Sequence, residues 1–262
     1  MTARGAAPEI PAPVGFASLI TSSWWIVRAH LGTLFKLMLL FVAVDWLLFL
    51  LALAVAESDV AGFAVAFAAL LPLVVRIALG GLGVAAGATV IGDALAGEPI
   101  SVRKALDTCR PLLKELLAAS LFGALIGMLI VFASQGAGVL FLPLFYGPPL
   151  IAQVIALEAR PFQMATTRVR EMGRGQLARI FGYLLSVALF IGLMVSVVPQ
   201  VIAALAEGLG DAAQLASLVL ASVLLSAAAL AFFSAVSTVA YFDLRARFED
   251  YGPKELKAER GS

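Results

Sequence analysis

Charged residues are confined to short stretches between long uncharged runs. The 42 residues 116–157 and the 27 residues 180–206 carry no charge, whereas the 22 residues between them, 158–179, contain five arginines. A helix of about 20 apolar residues crosses the roughly 30 Å hydrocarbon layer of a bilayer. The pattern therefore predicts membrane spans on both sides of a basic loop.

The same alternation over the rest of the chain predicts an all-α, polytopic membrane fold with six transmembrane helices. The predicted spans are 37–56, one within 60–91, two that share 116–157, then 180–206 and one within 212–242. Short turns join them into three hairpins. A partly polar segment, amphipathic or interfacial, precedes each hairpin, and the three segments begin near residues 14, 100 and 160.

Two of the predicted spans leave their geometry open. The run 60–91 is longer than the roughly 20 residues that a span needs, so it forms either one tilted helix or two re-entrant pieces broken at Gly80 and Gly81. Pro143 and the Gly-Pro-Pro sequence at 147–149 lie in the second half of 116–157. Because proline removes a helical hydrogen bond, that span is kinked or interrupted.

The distribution of Lys and Arg orients the predicted helices. Three, four, five and five of these residues, 17 of the 18, lie in the segments 1–36, 92–115, 158–179 and 243–262. None lies in the opposite turns 57–59, 134–138 and 207–211. Basic loops remain in the cytoplasm by the positive-inside rule. We therefore expect a bacterial inner-membrane protein with both termini in the cytoplasm.

Composition agrees with this location. The chain is 62% apolar and 13% charged, whereas about a quarter of the residues in a soluble domain are charged. We divide the chain into a cytoplasmic and interfacial segment, a six-span membrane domain and a cytoplasmic tail, at 1–36, 37–242 and 243–262. The single cysteine, Cys109, excludes a disulfide within the chain.

Asp45 and Arg76 are the ionisable residues that lie well inside predicted spans. A charge there costs about 3 kcal/mol on insertion scales, so it usually faces a partner or a pathway. Counted from the turn near residue 58, the two are offset by roughly 8 Å along antiparallel helices, which a long Arg side chain largely covers. We expect a structural ion pair. The alternative is a solute or proton pathway, for which Tyr146 would be a further lining residue.

Two short patterns carry a resemblance to a known family. Residues 241–249 leave the last span with Tyr241, Asp243, Arg245, Arg247 and Glu249 at alternate positions. The second pattern is Glu158 after the fourth span, followed by Ala165, Arg168, Arg174 and Gly175. Together they resemble the YciC-like bacterial integral-membrane family, also described as the membrane domain associated with glycerophosphoryl diester phosphodiesterases. Val169 and Arg170 stand where that family usually has Ser and Trp.

The resemblance implies a six-span fold for nearly the whole chain and assigns no activity. In some members a phosphodiesterase barrel follows the membrane part, and we expect no such domain here. The exit pattern also has a mechanical interpretation. If the last helix continues past Phe242, Asp243 faces Arg247 and Arg245 faces Glu249, both four residues apart. Its arginines could equally bind lipid phosphates.

The sequence contains no motif typical of an enzyme. His30 is the single histidine, so a His-rich metal set and an HExxH motif are excluded, and no Ser-His motif, Walker loop or dinucleotide fingerprint is recognisable. We expect a non-enzymatic protein without cofactor, metal or nucleic acid, with an organising or partner-binding role in the membrane. Its partners would be anionic phospholipid, and a second copy or another membrane protein. The residues expected to bind lipid headgroups are Arg168, Arg170, Arg174 and Arg179.

An alternative function is that of a small permease or lipid-handling transporter. Its pathway would lie near Asp45 and Arg76, and it would need a polar cavity between the helices. The sequence alone shows fewer polar groups inside the spans than a solute pathway usually has.

Overall fold

The computed structural model describes residues 10, 15–56, 62–133 and 150–260. The regular structure of this part is helical and includes no strand, which confirms the all-α class. The helices are α1 Phe16–Ala29, α2 Leu31–Ala56, α3 Gly62–Ala96, α4 Val102–Cys109, α5 Leu113–Ala133, α6 Ile151–Glu158, α7 Phe162–Met172, α8 Leu177–Leu205, α9 Asp211–Glu249 and α10 Pro253–Arg260. Short 3-10 turns lie at Arg110–Leu112 and Glu207–Leu209.

Four helices of the described part are long and apolar enough to cross a membrane, as expected of a membrane protein. Their apolar stretches are Leu31–Leu51 in α2, Val74–Ala96 in α3, Ala178–Leu205 in α8 and Asp211–Glu249 in α9. They correspond to the first, second, fifth and sixth predicted spans. Four candidate spans are therefore found among the described residues, and the prediction of six is not confirmed.

The middle hairpin accounts for the difference. Helix α5 lies where the third span is predicted, and α6 covers the last seven residues of the fourth and then Glu158. The predicted turn at 134–138, Pro143 and the Gly-Pro-Pro sequence at 147–149 lie outside the described residues. The third and fourth spans stay a prediction.

Helix α3 decides between the two interpretations of 60–91. It runs without interruption for 35 residues, through Gly80 and Gly81, so the re-entrant alternative is wrong. Gly87 of the same helix serves packing, because a Cβ atom there would overlap the side chains of Ser234 and Met38. Close approach of this kind is what small residues allow between membrane helices. Because α9 lies this close to α3, Ser234 donates a hydrogen bond of 3.1 Å to the Val84 carbonyl.

Helix α9 is the longest element, with 39 residues, and it packs against α1, α2, α3 and α8. It continues past Phe242 to Glu249, as the exit pattern predicts. Asp250 then adopts a φ of 51°, which reverses the chain, and α10 packs back with Leu256 fully buried. The first part of the predicted tail is thus a continuation of a membrane helix, and the second part rests on the bundle.

Helix α1 is a separate element that ends at Ala29, and His30 separates it from α2. Its buried face, which includes Leu19 and Ile26, packs on α9, while Trp24 is exposed and its ring contacts Phe232 edge-on at 6.5 Å. This one-sided burial agrees with an amphipathic segment before the first span. Its position at the membrane interface stays a prediction.

Candidate functional sites

Glu158 lies at the centre of a group of polar side chains at one end of the bundle. Its side chain is 6% exposed. Glu158 is the last residue of α6, and Ala159 after it adopts a φ of 52°, which reverses the direction of the chain. Its carboxylate accepts hydrogen bonds from the Tyr241 hydroxyl at 2.9 Å and from Arg168 Nε at 3.2 Å, and forms an ion pair with Arg160 Nε at 2.7 Å. A buried carboxylate needs such donors, since leaving it unpaired is costly.

The contacts of Glu158 close into a ring of side chains, which we call the polar ring. Arg168 bonds to Glu158 with Nε and to Glu249 with Nη2. Arg245 completes the ring, because its Nε lies 2.9 Å from Glu249 and its Nη1 donates to the Tyr241 hydroxyl at 3.2 Å. The polar ring joins α6, α7 and α9. Its members are Glu158, Arg168, Tyr241, Arg245 and Glu249.

The polar ring brings together the two sequence patterns that carry the family resemblance. Asp243 and Arg247, the two remaining residues of the pattern at 241–249, form a neighbouring ion-pair group, in which Arg247 Nε lies 2.9 Å from Asp243. Asp243 is 1% exposed and also accepts from Arg179 Nη2 of α8 at 2.7 Å. Both predicted pairs along α9, Asp243 with Arg247 and Arg245 with Glu249, are present.

Helix α10 is fastened to this end of the bundle by charged and aromatic contacts. The Arg245 guanidinium lies over the Tyr251 ring at 3.6 Å from its centroid, and its Nη1 is 3.0 Å from Glu259. Arg260 Nη1 lies 3.3 Å from Asp93 at the end of α3. Three separate basic segments, 92–115, 158–179 and 243–262, therefore meet at one end, as would be expected of segments that lie on one side of a membrane.

The environment of Arg168 and Tyr251 favours the ordinary, protonated state of both side chains. Burial would lower the pKa of Arg168, but its bonds to Glu249 and Glu158 outweigh this and raise the pKa above its usual value. Burial and the hydrogen bond to Glu259 raise the pKa of Tyr251.

The four arginines expected to bind lipid divide into two pairs. Arg168 and Arg179 are held by carboxylates within the protein, and their side chains are 12% and 27% exposed. Arg170 and Arg174 are exposed. Helix α7 ends at Met172, so the four do not lie on one helix. Only the second pair is free to face lipid.

The second candidate site lies inside the bundle. Arg76 Nε is 2.9 Å from Asp45 Oδ2, so the structure brings the two intramembrane charges together. They line a cavity of about 380 Å³ between α2, α3, α8 and α9. The Asp45 side chain is 12% exposed and that of Arg76 is 36% exposed. Tyr146 lies outside the described residues.

Four polar residues of this cavity were not anticipated from the sequence. They are Ser196 and Gln200 on α8, and Ser222 and Ser226 on α9. Each pair is spaced four residues apart, which places both members on one helix face. Polar residues at this spacing within an otherwise apolar helix are the signal that could have identified them.

A further polar contact joins α6 to α9 below the polar ring. Gln153 is fully buried and its Nε2 donates to Ser237 Oγ at 2.7 Å. No group of three His, Cys, Asp or Glu side chains that could hold a metal ion occurs among the residues that the structure describes. The expectation that the protein needs no metal or cofactor stays a prediction.

No family model, curated protein or solved structure matches this chain. The two patterns of the family resemblance are in contact in the structure, but membership of that family stays a prediction.

Proposed function

We propose that this is a non-enzymatic protein of the bacterial cytoplasmic membrane that associates with anionic phospholipid through its basic end. In this proposal both termini are cytoplasmic and the family resemblance holds. The lipid would bind at the exposed pair Arg170 and Arg174, and a second copy or another membrane protein could share the same surface.

One observation carries the lipid proposal. The most buried acids at this end, Asp93, Glu158 and Asp243, are each bound by internal cations. These three acids neutralise the charges of Lys104, Arg168 and Arg179. The exposed Arg170 and Arg174 are therefore available to an anion outside the protein. A basic side chain close to an anionic membrane surface contributes about 1 kcal/mol before screening by salt.

The experiment compares lipid retention in two double variants. Arg170→Gln with Arg174→Gln should reduce the anionic phospholipid that copurifies with the protein about tenfold, without lowering the melting temperature. The control, Lys254→Gln with Lys257→Gln, removes the same charge from exposed positions of α10. Equal retention by wild type and the arginine variant would reject lipid binding there. Equal losses in both variants would show a general charge effect instead.

The non-enzymatic assignment has its own test. Purified wild-type protein should not hydrolyse a glycerophosphodiester or a phospholipid under conditions where it remains folded. Turnover that depends on the protein would contradict the assignment.

A second candidate function, the small permease or lipid-handling transporter, is favoured by the cavity at Asp45 and Arg76. Broken or polar helix faces that line a cavity are how transporters hold substrates near the middle of the membrane. Transfer of a solute or lipid by the protein in proteoliposomes, lost when the cavity is filled, would establish this function.

A further inference from the structure

Arg76 presents unused hydrogen-bond donors to the cavity. Its guanidinium has five N–H groups, and Asp45 accepts from Nε. Among the described residues, Asp45 is the only hydrogen-bond partner of Arg76. Because the Arg76 side chain is three times as exposed as that of Asp45, 36% against 12%, the terminal nitrogens are what a molecule in the cavity would meet.

The charge of the pair limits which molecule can fill the cavity. Arg76 is 17 residues from Asp93 along α3, roughly 25 Å at 1.5 Å per residue, so the pair lies far from the charged side chains at the other end of the bundle, in a cavity with mainly apolar walls. Asp45 and Arg76 together carry no net charge. A ligand with a net charge would bring an uncompensated charge into this region, which is strongly unfavourable. Uncharged oxygen atoms can accept from Arg76 without that cost.

The walls of the cavity are mainly aromatic and aliphatic. Phe41, Trp46, Phe49 and Phe233 contribute rings to them. A volume of about 380 Å³ lies within the usual range of small-molecule sites, which combine apolar walls with a few polar groups that fix orientation. The lining residues Ser196 and Gln200 are also exposed, so the cavity opens on the α8 side.

We propose that this cavity binds one molecule of a neutral amphiphile. Its uncharged, oxygen-rich end, such as a hydroxyl or ester group, accepts hydrogen bonds from the terminal nitrogens of Arg76 and meets Ser222 and Ser226. Its hydrocarbon chain packs against the aromatic wall around Trp46. The proposal deepens the second candidate function by naming the class of ligand, and it does not depend on lipid binding at the basic end.

Native mass spectrometry of the detergent-solubilised full chain tests the proposal with 1-monolauroylglycerol as the probe. Wild type should retain one molecule per chain, and should retain laurate and laurylamine at least tenfold more weakly. Ser226→Phe, which fills the cavity, should weaken retention at least tenfold. The matched control is Ser186→Phe, which adds the same ring at an exposed serine of α8 that does not line the cavity. It should bind as wild type does.

A second measurement uses unmodified protein, in case Ser226→Phe does not fold. A diazirine-bearing monoacylglycerol should label the peptide that contains Trp46, and excess 1-monolauroylglycerol should suppress this label. Two results would overturn the proposal. One is labelling that is confined to outward-facing residues such as Phe190 and is not suppressed by excess 1-monolauroylglycerol. The other is tighter retention of laurate than of monolauroylglycerol. Transport in proteoliposomes without any monoacylglycerol binding would overturn this ligand class and leave the transporter function standing.

Discussion

The hydroxyl of Tyr241 donates a hydrogen bond of 2.9 Å to Glu158, a residue 83 positions earlier in the chain. The contact joins the end of α6 to α9, and Gln153 with Ser237 forms a second polar contact between the same helices. Where apolar helices meet in a membrane, such hydrogen bonds fix how the helices are aligned. Tyr241 and Glu158 therefore help to set the position of α6 on the longest helix of the bundle.

Removal of the Tyr241 hydroxyl should destabilise the fold. Tyr241→Phe keeps the ring and leaves Glu158 with its arginine partners, so we expect a loss of about 1–2 kcal/mol, as for a hydrogen bond to a charged group. A double-mutant cycle with Glu158→Ala, read by thermal unfolding in detergent, should give a coupling energy of about 1 kcal/mol.

Tyr183→Phe is the control for this cycle. Its ring is partly buried and contacts Phe16, but its hydroxyl makes no hydrogen bond among the described residues. It should change stability little. Additive effects of the Tyr241 and Glu158 substitutions would show that the two side chains do not interact energetically.

The buried pair gives a second cycle. Arg76→Gln leaves Asp45 unpaired in an apolar region and should cost about 3 kcal/mol, and Asp45→Asn should cost a similar amount. The double variant carries no charge at the site and should be more stable than the sum of the two losses predicts. Thermal stability of the three variants in one detergent measures this. Strict additivity would reject direct coupling between Asp45 and Arg76.

Local spacing was enough to predict the pairs within one helix and between adjacent helices. Asp243 with Arg247 follows from a helix that continues, and Asp45 with Arg76 follows from counting residues away from a short turn. The continuity of α3 could not be settled in this way. Gly80 and Gly81 are compatible with a break, and only the structure shows that α3 continues through them and that α9 approaches it closely at Gly87.

The polar ring and the cavity could not be derived from the sequence, because both depend on contacts between distant helices. Arg168 and Arg170 look alike in the sequence, yet one is held by Glu158 and Glu249 and the other is exposed. Ser222 and Ser226 become cavity residues only because α9 turns that face toward Arg76. Periodicity assigns residues to a face but does not identify the neighbour of that face.

Cys109 should react slowly with thiol reagents. Burial raises its pKa to about 11, and the positive charge of Arg260 opposes this only in part. At pH 8 a thiol with a pKa of about 11 is roughly one-thousandth ionised, against about one-tenth for a pKa of 9.0, so we expect about 100-fold slower reaction with N-ethylmaleimide. The rate should rise about tenfold per pH unit up to about pH 11, since only the thiolate reacts.

The same thiol reports whether α10 is docked. Leu256→Ala removes the buried anchor of α10 and should accelerate labelling of Cys109, whereas Lys254→Ala, at an exposed position of the same helix, should not. Equal labelling rates in both variants would show that α10 does not protect Cys109.

The last prediction concerns the orientation of the whole bundle in the membrane. The charge distribution requires residue 167 to lie in the cytoplasm and the short acidic turns to lie outside. In a Cys109→Ser background, a cysteine at Ser58 or Glu207 should react with a membrane-impermeant maleimide added to intact cells, and one at Thr167 should react only after the membrane is opened. Glu207 is preferred to Gly210 because Gly210 adopts a φ of 96°, which a cysteine would not tolerate without strain. Thr167 and Glu207 are both exposed, so access across the membrane, rather than burial within the protein, decides the result. Labelling of Thr167→Cys from outside would show that the bundle has the opposite orientation. Arg170 and Arg174 would then lie on the outer side of the membrane, where the proposed lipid association does not apply.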